Sequence, residues 1–383
     1  MNILTILYFA TFSSALRFLH LTDIHLDRYY HVGASNKCIG GTEIGTGCCR
    51  KLDIPLRGYK PCGFWGDLDN DSPPQLLDGI VRFISENLKP IDAIFQTGDD
   101  ASHHDVTQTI EGNLKNIKYT ADTLRNYLPG IPIFNNVGNH DTYPIDMTTP
   151  VVYPYMLKEI AKIYGRSAPH GYYSESLNDK IQVISINSIY YDSNNLFRID
   201  NNRTDIQMHW LDNEFAVNQQ KEIILITHIP INGGESTPFY NNNMLRILKK
   251  YKTPVLFLAG HTHQDRFFLY KDDNTKIGFT LIPNSIMPSH NYPGFRIYEY
   301  ADANYIDYSQ YSCDITTKLL SCKKIYQFSK IYHLPSININ NLFILHERLK
   351  VNRTLLKNYC NFNNYPVQCT NDNMLNSSLN DIM

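Results

Sequence analysis

The sequence carries no excess of positive charge. Its 383 residues include 35 Lys and Arg against 37 Asp and Glu, giving a net charge of −2 and an isoelectric point near 6.7. A nucleic acid gripped through its phosphate backbone is therefore not an expected partner. Beyond the N-terminus, no stretch approaches the ~18 uninterrupted apolar residues that a membrane-spanning helix needs. The eight cysteines contain no Cys-x-x-Cys pair, which argues against a zinc-thiolate site. Internal repeats and low-complexity linkers are also missing. What remains is an ordinary globular composition, 43% hydrophobic and 19% charged, with a mean hydropathy of −0.33. The length allows one large α/β domain, or a catalytic domain with a smaller appendage.

The chain opens with MNILTILYFATFSSALRF, an apolar run of about ten residues ending in the small residues Ser13-Ser14-Ala15. This fits a signal peptide over residues 1–15, although no Lys or Arg precedes the run. The competing reading is an apolar lead-in to the first strand. Cysteine usage agrees with export: Cys38, Cys48, Cys49 and Cys62, then Cys313, Cys322, Cys360 and Cys369, cluster outside the apolar runs, as disulfides stapling loops would. Asn70, Asn202, Asn352 and Asn376 lie in Asn-x-Ser/Thr sequons, the first weakened by the Pro that follows its Ser.

Apolar β-rich runs at 17–22, 92–98, 132–137, 181–187, 222–227 and 254–259 alternate with helical patterns near 74–88, 107–127, 153–164, 205–218 and 239–250. Such alternation predicts a sheet with helices on its faces. After residue 263 the strands DRFFLY, IGFTLIP and GFRIYEY follow one another closely and read as antiparallel. From about 315 the chain reads as helical, forming a small cap.

The residues that follow these strands carry the chemistry. The first strand ends in Asp23-Ile24-His25, the second in Gly98-Asp99-Asp100, and the third in Gly138-Asn139-His140-Asp141. The run IILIT is followed by His228, and PVLFLA by Gly260-His261-Thr262-His263. Ligands gather beyond the carboxyl ends of strands in α/β sheets. One Asp-x-His after a strand is more often a satisfied loop pair than a ligand set. Five strand ends each bearing Asp, Asn or His are hard to explain by packing, because unpaired buried carboxylates and imidazoles cost several kcal/mol. A cation that neutralises and coordinates them is the economical reading.

The ordered set Asp-x-His, Gly-Asp, Gly-Asn-His, His and Gly-His-Thr-His resembles that of the calcineurin-like metallophosphoesterases, over roughly residues 17–300. The strings HLTDIHLD, KCIGGTEIGTGCCR, CGFWGD, TGDDASHHDV, VGNHD, ITHIP, GHTHQD and NYPGFRIYEY bring it closer to the acid sphingomyelinase-like phosphodiesterases. The resemblance implies an α/β fold, a four-layer sandwich of two mixed sheets flanked by helices, over residues 16–305. A small helical, disulfide-stapled C-terminal subdomain would cover 306–383. It implies two Zn²⁺ ions, with Mn²⁺ or Fe²⁺ as alternatives. One would be bound by Asp23, His25, Asp99 and His263, the other by Asp99, Asn139, His228 and His261. A hydroxide bridging the two would attack phosphorus in line.

His140 resembles the family's non-ligand histidine, acting as general acid or as a donor to a phosphoryl oxygen; the competing reading has it only hydrogen-bonded to Asp141. A second catalytic histidine follows the bridging Asp: spacing favours His103, sequence context favours His104, and His104 is preferred here. His20 reads as a core group, His209 as packing, and His290 as a turn or cleft residue. Family pattern also suggests Cys38–Cys48 and Cys49–Cys62, with Cys313–Cys322 and Cys360–Cys369 following from proximity alone.

Departures narrow the family. Ser102 stands where purple acid phosphatases need a Tyr ligand, and the Asp-Arg-Gly of protein Ser/Thr phosphatases is missing. Only 22 residues precede Asp23, so the saposin-type domain of acid sphingomyelinase is not expected. The expectation is a secreted or endolysosomal, monomeric phosphodiesterase for soluble phosphodiesters or nucleotide-type substrates, with a lipid headgroup as another substrate class. A sphingomyelinase or an endopolyphosphatase-like hydrolase is the nearer alternative, and a non-catalytic binding protein the remote one.

Overall fold

β1 (Leu16–Leu21) shows how the layers arise. Phe18 faces one way into an apolar cluster, while Leu19 and Leu21 face the other way into a second one. A strand buried on both faces carries apolar residues on both, so Phe18, Leu19 and Leu21 follow no strict alternation, with Arg17 before them and the buried His20 among them. The computed structural model describes residues 15–39, 47–104, 108–197, 201–251, 253, 255–288, 291–302, 305–363, 369 and 382. The expected signal peptide, apart from Ala15, and His290 lie outside them.

Two six-stranded mixed sheets form the centre. In the first, β1, β2 (Ala93–Gln96) and β3 (Ile133–Asn135) run parallel, and the antiparallel strands β10 (Gly294–Asp302), β11 (Tyr305–Asp314) and β12 (Ser321–Gln327) extend it beyond β1. The second sheet has the order β4 (Tyr173–Ser176), β5 (Ile181–Ser185), β6 (Glu222–Ile226), β7 (Val255–Leu258), β9 (Thr275–Ile282), β8 (Arg266–Asp272). Its strands β5, β6 and β7 are parallel, as expected.

Phe18, Phe95, Val183, Ile224, Ile226 and Leu258 pack between the sheets. On the outer side of the first sheet, Leu19, Leu21 and Ile94 meet Leu77, Ile80 and Ile84 of α1 (Pro74–Asn87) and Leu124 of α2 (Ile110–Tyr127). On the outer side of the second, Ile184, Ile223, Leu225 and Phe257 meet α3 (Val152–Tyr164), α4 (Asn201–Val217) and α5 (Pro238–Lys250). The result is the four-layer sandwich the resemblance implied. Each fully buried Leu, Ile or Phe contributes about 1.5–3 kcal/mol, and these side chains number in dozens.

The C-terminal region differs from the reading. The first sheet continues past the expected boundary at 305 through β11 and β12, and helices begin only with α6 (Phe328–Tyr332). α7 (Ile339–Val351) and α8 (Arg353–Asn363) then insert Leu342, Leu345, Leu349, Leu356 and Tyr359 into the cluster between the sheets. β12 has little apolar character because it is an edge strand. It is tied to β11 by register and by Cys313–Cys322.

All four expected disulfides form, and no cysteine is free, which removes the zinc-thiolate alternative. Asn70 is fully buried: its Oδ1 accepts from Cys48 N–H, and its Nδ2 donates to Asn36 O and Asp67 Oδ1. That amide is structural and is not available to a glycan in the folded chain. Asn352 is exposed, whereas the Asn202 and Asn376 side chains lie outside the described set.

One ion pair joins the sheets near the strand ends. Arg296 of β10 is wholly buried, 2.5 Å from Asp265 and 3.9 Å over the ring of Tyr308, and it donates to Ile282 O and Gln310 Oε1. Asp265 also accepts from Tyr326 Oη–H at 2.5 Å. Arg296→Met would leave that carboxylate buried without its cation, and the expected loss is about 3–5 kcal/mol. Urea unfolding followed by circular dichroism measures it, and an unchanged midpoint would contradict this role.

Candidate metal centre

The expected residues meet beyond the carboxyl ends of β1, β2, β3, β6 and β7. Glycines make the approach feasible. A Cβ at Gly138 would sit 2.0 Å from Asp99 Oδ1, and one at Gly260 would sit 2.1 Å from Thr22 Oγ1 and 2.9 Å from Asp23 Oδ2. The glycines before Asn139 and His261 are thus requirements of close packing. The backbone is strained as well: Asp23, His25, Asp99, His261 and His263 have φ of 49°, 43°, 59°, 75° and 58°. Non-glycine residues held there cost about 1–3 kcal/mol each and persist only when their surroundings over-determine them.

The hydrogen bonds fix which atoms point inward. His25 Nδ1 is 2.9 Å from the Ala101 carbonyl and His228 Nδ1 is 2.8 Å from the Thr97 carbonyl. A carbonyl only accepts, so those nitrogens carry the protons, and each Nε2 presents a lone pair. His261 Nε2 faces Glu235 at 3.0 Å, which likewise turns its Nδ1 inward. Asn139 Nδ2 donates to Asp146 at 2.9 Å, leaving its Oδ1 toward the centre.

The inward atoms are all acceptors. His228 Nε2 is 2.8 Å from Asn139 Oδ1 and 3.2 Å from Asp99 Oδ2, and His261 Nδ1 is 3.3 Å from Asn139 Oδ1. On the other side, His25 Nε2 is 3.0 Å from His263 Nε2 and 3.4 Å from Asp99 Oδ2, while His263 Nε2 is 3.5 Å from Asp23 Oδ1. Asp99 Oδ2 is common to both groups. The ligand atoms of Asp23, His25, Asp99 and His263 all lie within 4.8 Å of one another.

Lone pairs facing lone pairs at such distances repel unless a cation lies among them. The protonation preferences agree. Burial pushes the Asp23 carboxyl up to about 6 despite His228, and burial with Asp141 nearby raises Asp99. Burial and the neighbouring His103 lower His25 and His263. Carboxyls that resist charging beside imidazoles that resist protonation are short of positive charge, which divalent ions supply. The donor set of imidazole, carboxylate and one amide oxygen suits Zn²⁺, and the outer hydrogen bonds supply the orientation such sites need. The residues therefore fit two ions sharing Asp99.

His103 and His140 flank this group. The His103 ring stacks on His25 at 3.7 Å and lies 4.3 Å from His140. Its Nδ1 donates to Asp71 Oδ1 at 2.7 Å, and its backbone N–H donates to Asp71 Oδ2. Burial alone would lower His103, but Asp71 and the centre's carboxylates outweigh it and raise it. His104, the residue preferred from context, lies with its ring against Gly47 of the Cys-rich insert. Among the described residues it is His103, with His25 and His263, whose nitrogens group closely enough to hold an ion. Asp71 binds both the backbone N–H and the ring of His103 and so turns that ring toward the centre.

His140 Nδ1 has no hydrogen-bond partner among the described residues, so its expected competing bond to Asp141 is not made. The Asp141 carboxylate accepts instead from the backbone N–H groups of Asp99, Asp100, Ala101 and Gly138. Burial, then His103, lowers His140. His20 is buried with Nε2 3.0 Å from Thr97 Oγ1, as a core residue, while His209 is exposed and not packed. Asp71, Asp146 and Glu235 were not singled out in the sequence, and Asp141 was read only as a neighbour of His140, since their roles appear through partners brought together by the fold.

Among known proteins, residues 16–265 match the family described as calcineurin-like phosphoesterase. The chain belongs to this family. Over 92% of its length it is 27% identical to sphingomyelin phosphodiesterase 2 of Caenorhabditis elegans, and over 91% it is 23% identical to sphingomyelin phosphodiesterase B of Dictyostelium discoideum. It spans 66% and 59% of those two relatives. It is also 24% identical, over 90% of its length, to the mouse protein named cyclic GMP-AMP phosphodiesterase SMPDL3A, covering 83% of that chain. These relatives agree with the sphingomyelinase-like resemblance.

Gly138→Ala tests the packing of the centre directly. Its methyl group displaces the Asp99 carboxylate, and divalent metal retained after purification should fall by about tenfold or more. Plasma mass spectrometry reads the metal, and circular dichroism confirms the fold; wild-type retention would break the link between this glycine and the site.

Proposed function

We propose that this chain is an exported, monomeric, zinc-dependent phosphodiesterase that hydrolyses soluble phosphodiesters or nucleotide-type substrates. One observation carries the reading: two sets of inward-facing acceptors, Asp23/His25/His263 and Asn139/His228/His261, share the Asp99 carboxylate. Two divalent ions bound there would act as Lewis acids on phosphoryl oxygens and lower the pKa of a water between them.

The chain's own residues do the rest. Asp141 holds the backbone of both the 98–101 and 138–141 turns, so Asp99 and Asn139 keep their positions. His103, braced by Asp71, can carry a proton from Nε2 to the leaving oxygen, with Asp71 stabilising the charged ring. His140, which burial keeps neutral, can donate a hydrogen bond to a phosphoryl oxygen. Export is supported by the apolar residues 1–15 and by four disulfides, which persist in oxidising surroundings, whether outside the cell or in an endolysosomal lumen. No helix among the described residues is long and apolar enough to cross a membrane.

A second reading, hydrolysis of sphingomyelin, is favoured by the names of two relatives. A panel of bis-p-nitrophenyl phosphate, CDP-choline, ATP, cyclic GMP-AMP, sphingomyelin and polyphosphate separates the two. Chelation should abolish turnover and Zn²⁺ should restore it. His261→Ala should remove both metal and activity. His103→Ala and His140→Ala should each lower kcat by about 10²–10⁴ with metal content unchanged. Full turnover by metal-depleted protein, or by His261→Ala, would refute the proposal.

A further inference from the structure

The connection from β1 to α1 holds a module that the catalytic reading leaves unused. Residues 29–64 carry five basic residues and two acidic ones, within a chain whose net charge is −2. Cys38–Cys48 and Cys49–Cys62 staple it. Its tip is a short antiparallel ribbon: Ile39 N–H donates to Ile54 O, Leu56 N–H donates to Lys37 O, and Cys38 stands opposite Pro55. Side chains alternate across such a ribbon, so with Cys38 turned inward, Lys37, Ile39, Ile54 and Leu56 face out. Ile39 is 63% exposed, Ile54 62% and Leu52 92%, with Leu56 and Tyr59 exposed beside them.

Single exposed apolar residues are ordinary, but several on one rigid ribbon are not. Lys37, Lys51, Arg57 and Lys60 are exposed on the same segment, and among the described residues none of them forms an ion pair. The module's other described charges are already used: Arg50 pairs with Asp27 at 2.7 Å, and Asp53 accepts from Arg50 N–H. Aliphatic tips interleaved with free cations match an anionic lipid surface, where the tips enter the headgroup layer and the cations meet phosphates. A second copy of this chain is a poor occupant, because a two-fold contact would set these cations against their own copies.

We propose that residues 29–39 and 47–64, stapled by Cys38–Cys48 and Cys49–Cys62, form a docking surface for anionic membranes, with Leu52 and Ile54 as apolar anchors and Lys37, Lys51, Arg57 and Lys60 as headgroup contacts. The module is also tied to the loops that bear His103 and its partner Asp71. Gly47 lies against the ring of His104, and Asn70, which binds Cys48 N–H, precedes the His103 partner Asp71. The surface does its work whatever phosphoester is cleaved.

Vesicle flotation of the full chain tests this. With about 30% phosphatidylserine in phosphatidylcholine, binding should exceed that to pure phosphatidylcholine by about tenfold, at roughly 0.1 M salt. It should weaken at about 0.5 M salt, where the Debye length shrinks. Leu52→Asp with Ile54→Asp should lower the partition coefficient by about tenfold or more. Lys51→Glu with Lys60→Glu should lower it by about fivefold for each cation lost and erase the preference for anionic lipid. Both double variants should keep the wild-type melting temperature and wild-type turnover of bis-p-nitrophenyl phosphate. Flotation needs no turnover, so its outcome is separate from that of the hydrolase reading. Equal binding to neutral and anionic vesicles, no binding, or variants that float like the wild type would overturn the proposal. So would a dimer in light scattering that Leu52→Asp dissolves, since a second copy would then own the patch.

Discussion

Asp99 is the group on which the rest of the site depends. It ends β2 in a left-handed turn, and its N–H is taken by Asp141. Its Oδ1 accepts from His140 N–H, and its Oδ2 faces imidazoles delivered by different layers: His25 from the first sheet and His228 from the second. A buried carboxylate in such company carries a penalty of several kcal/mol without a cation. Strain in five backbone positions adds to it. The apolar clusters on both faces of both sheets offset these costs, because they fix where each strand ends whatever the turn beyond it prefers. Rigidity in the strands is thus what allows the turns to be unfavourable. The same arrangement preorganises the acceptors, so little reorganisation remains when a charge arrives.

The parallel strands and the residues at their carboxyl ends were legible because two physical demands coincide there. A strand buried on both faces must be an apolar run, and the turn after it must bear Asp, Asn or His beside a glycine that lets another turn approach. Leu256–Leu258 followed by Gly260, His261 and His263 shows both demands at once, while Ile223–Ile226 followed by His228 shows the apolar run and the ligand without a glycine. β4 and β12 lack the first demand. Tyr-Ser-Glu-Ser and Ser-Cys-Lys-Lys-Ile-Tyr-Gln are edge strands, whose pairing comes from register and, for β12, from a disulfide rather than from hydrophobic pattern. α7 and α8 were readable as helices, but their burial between the sheets was not, because it depends on what the far sheet leaves uncovered.

His103 marks the limit of local reading. Two adjacent histidines differ only in which way the loop turns, and that is decided by Asp71, a carboxylate 32 residues upstream that binds both the backbone and the ring of His103. Asn70 shows the same effect. Its sequon suggests a surface asparagine, yet its amide ties the Cys-rich module to the body of the protein. In both cases the connection between β1 and α1 makes the choice. Its residues read locally as loop chemistry, while their contacts are long-range.

Two sequence strings that carry the family resemblance, GHTHQD and GFRIYEY, turn out to be one physical object. Asp265, two residues past His263, pairs with Arg296 at the middle of the second string, and Asn284 Oδ1 accepts from Asp265 N–H. Arg296 lies on the first sheet and the 260–265 turn leads into the second, so this pair ties the turn that carries His261 and His263 to the sheet that carries Asp23. Tyr298, Tyr308 and Tyr326 surround it with hydroxyls and ring faces. An Arg buried among aromatics is costly unless every donor is met, and here the guanidinium is met by a carboxylate, a carbonyl, an amide and a phenol. Hydrophobic residues of equal volume would serve stability as well or better. They would lack the directional contacts that tie the 260–265 turn to β10. The ion pair is thus a directional link between the two sheets, made two residues along the chain from the inward-facing His263.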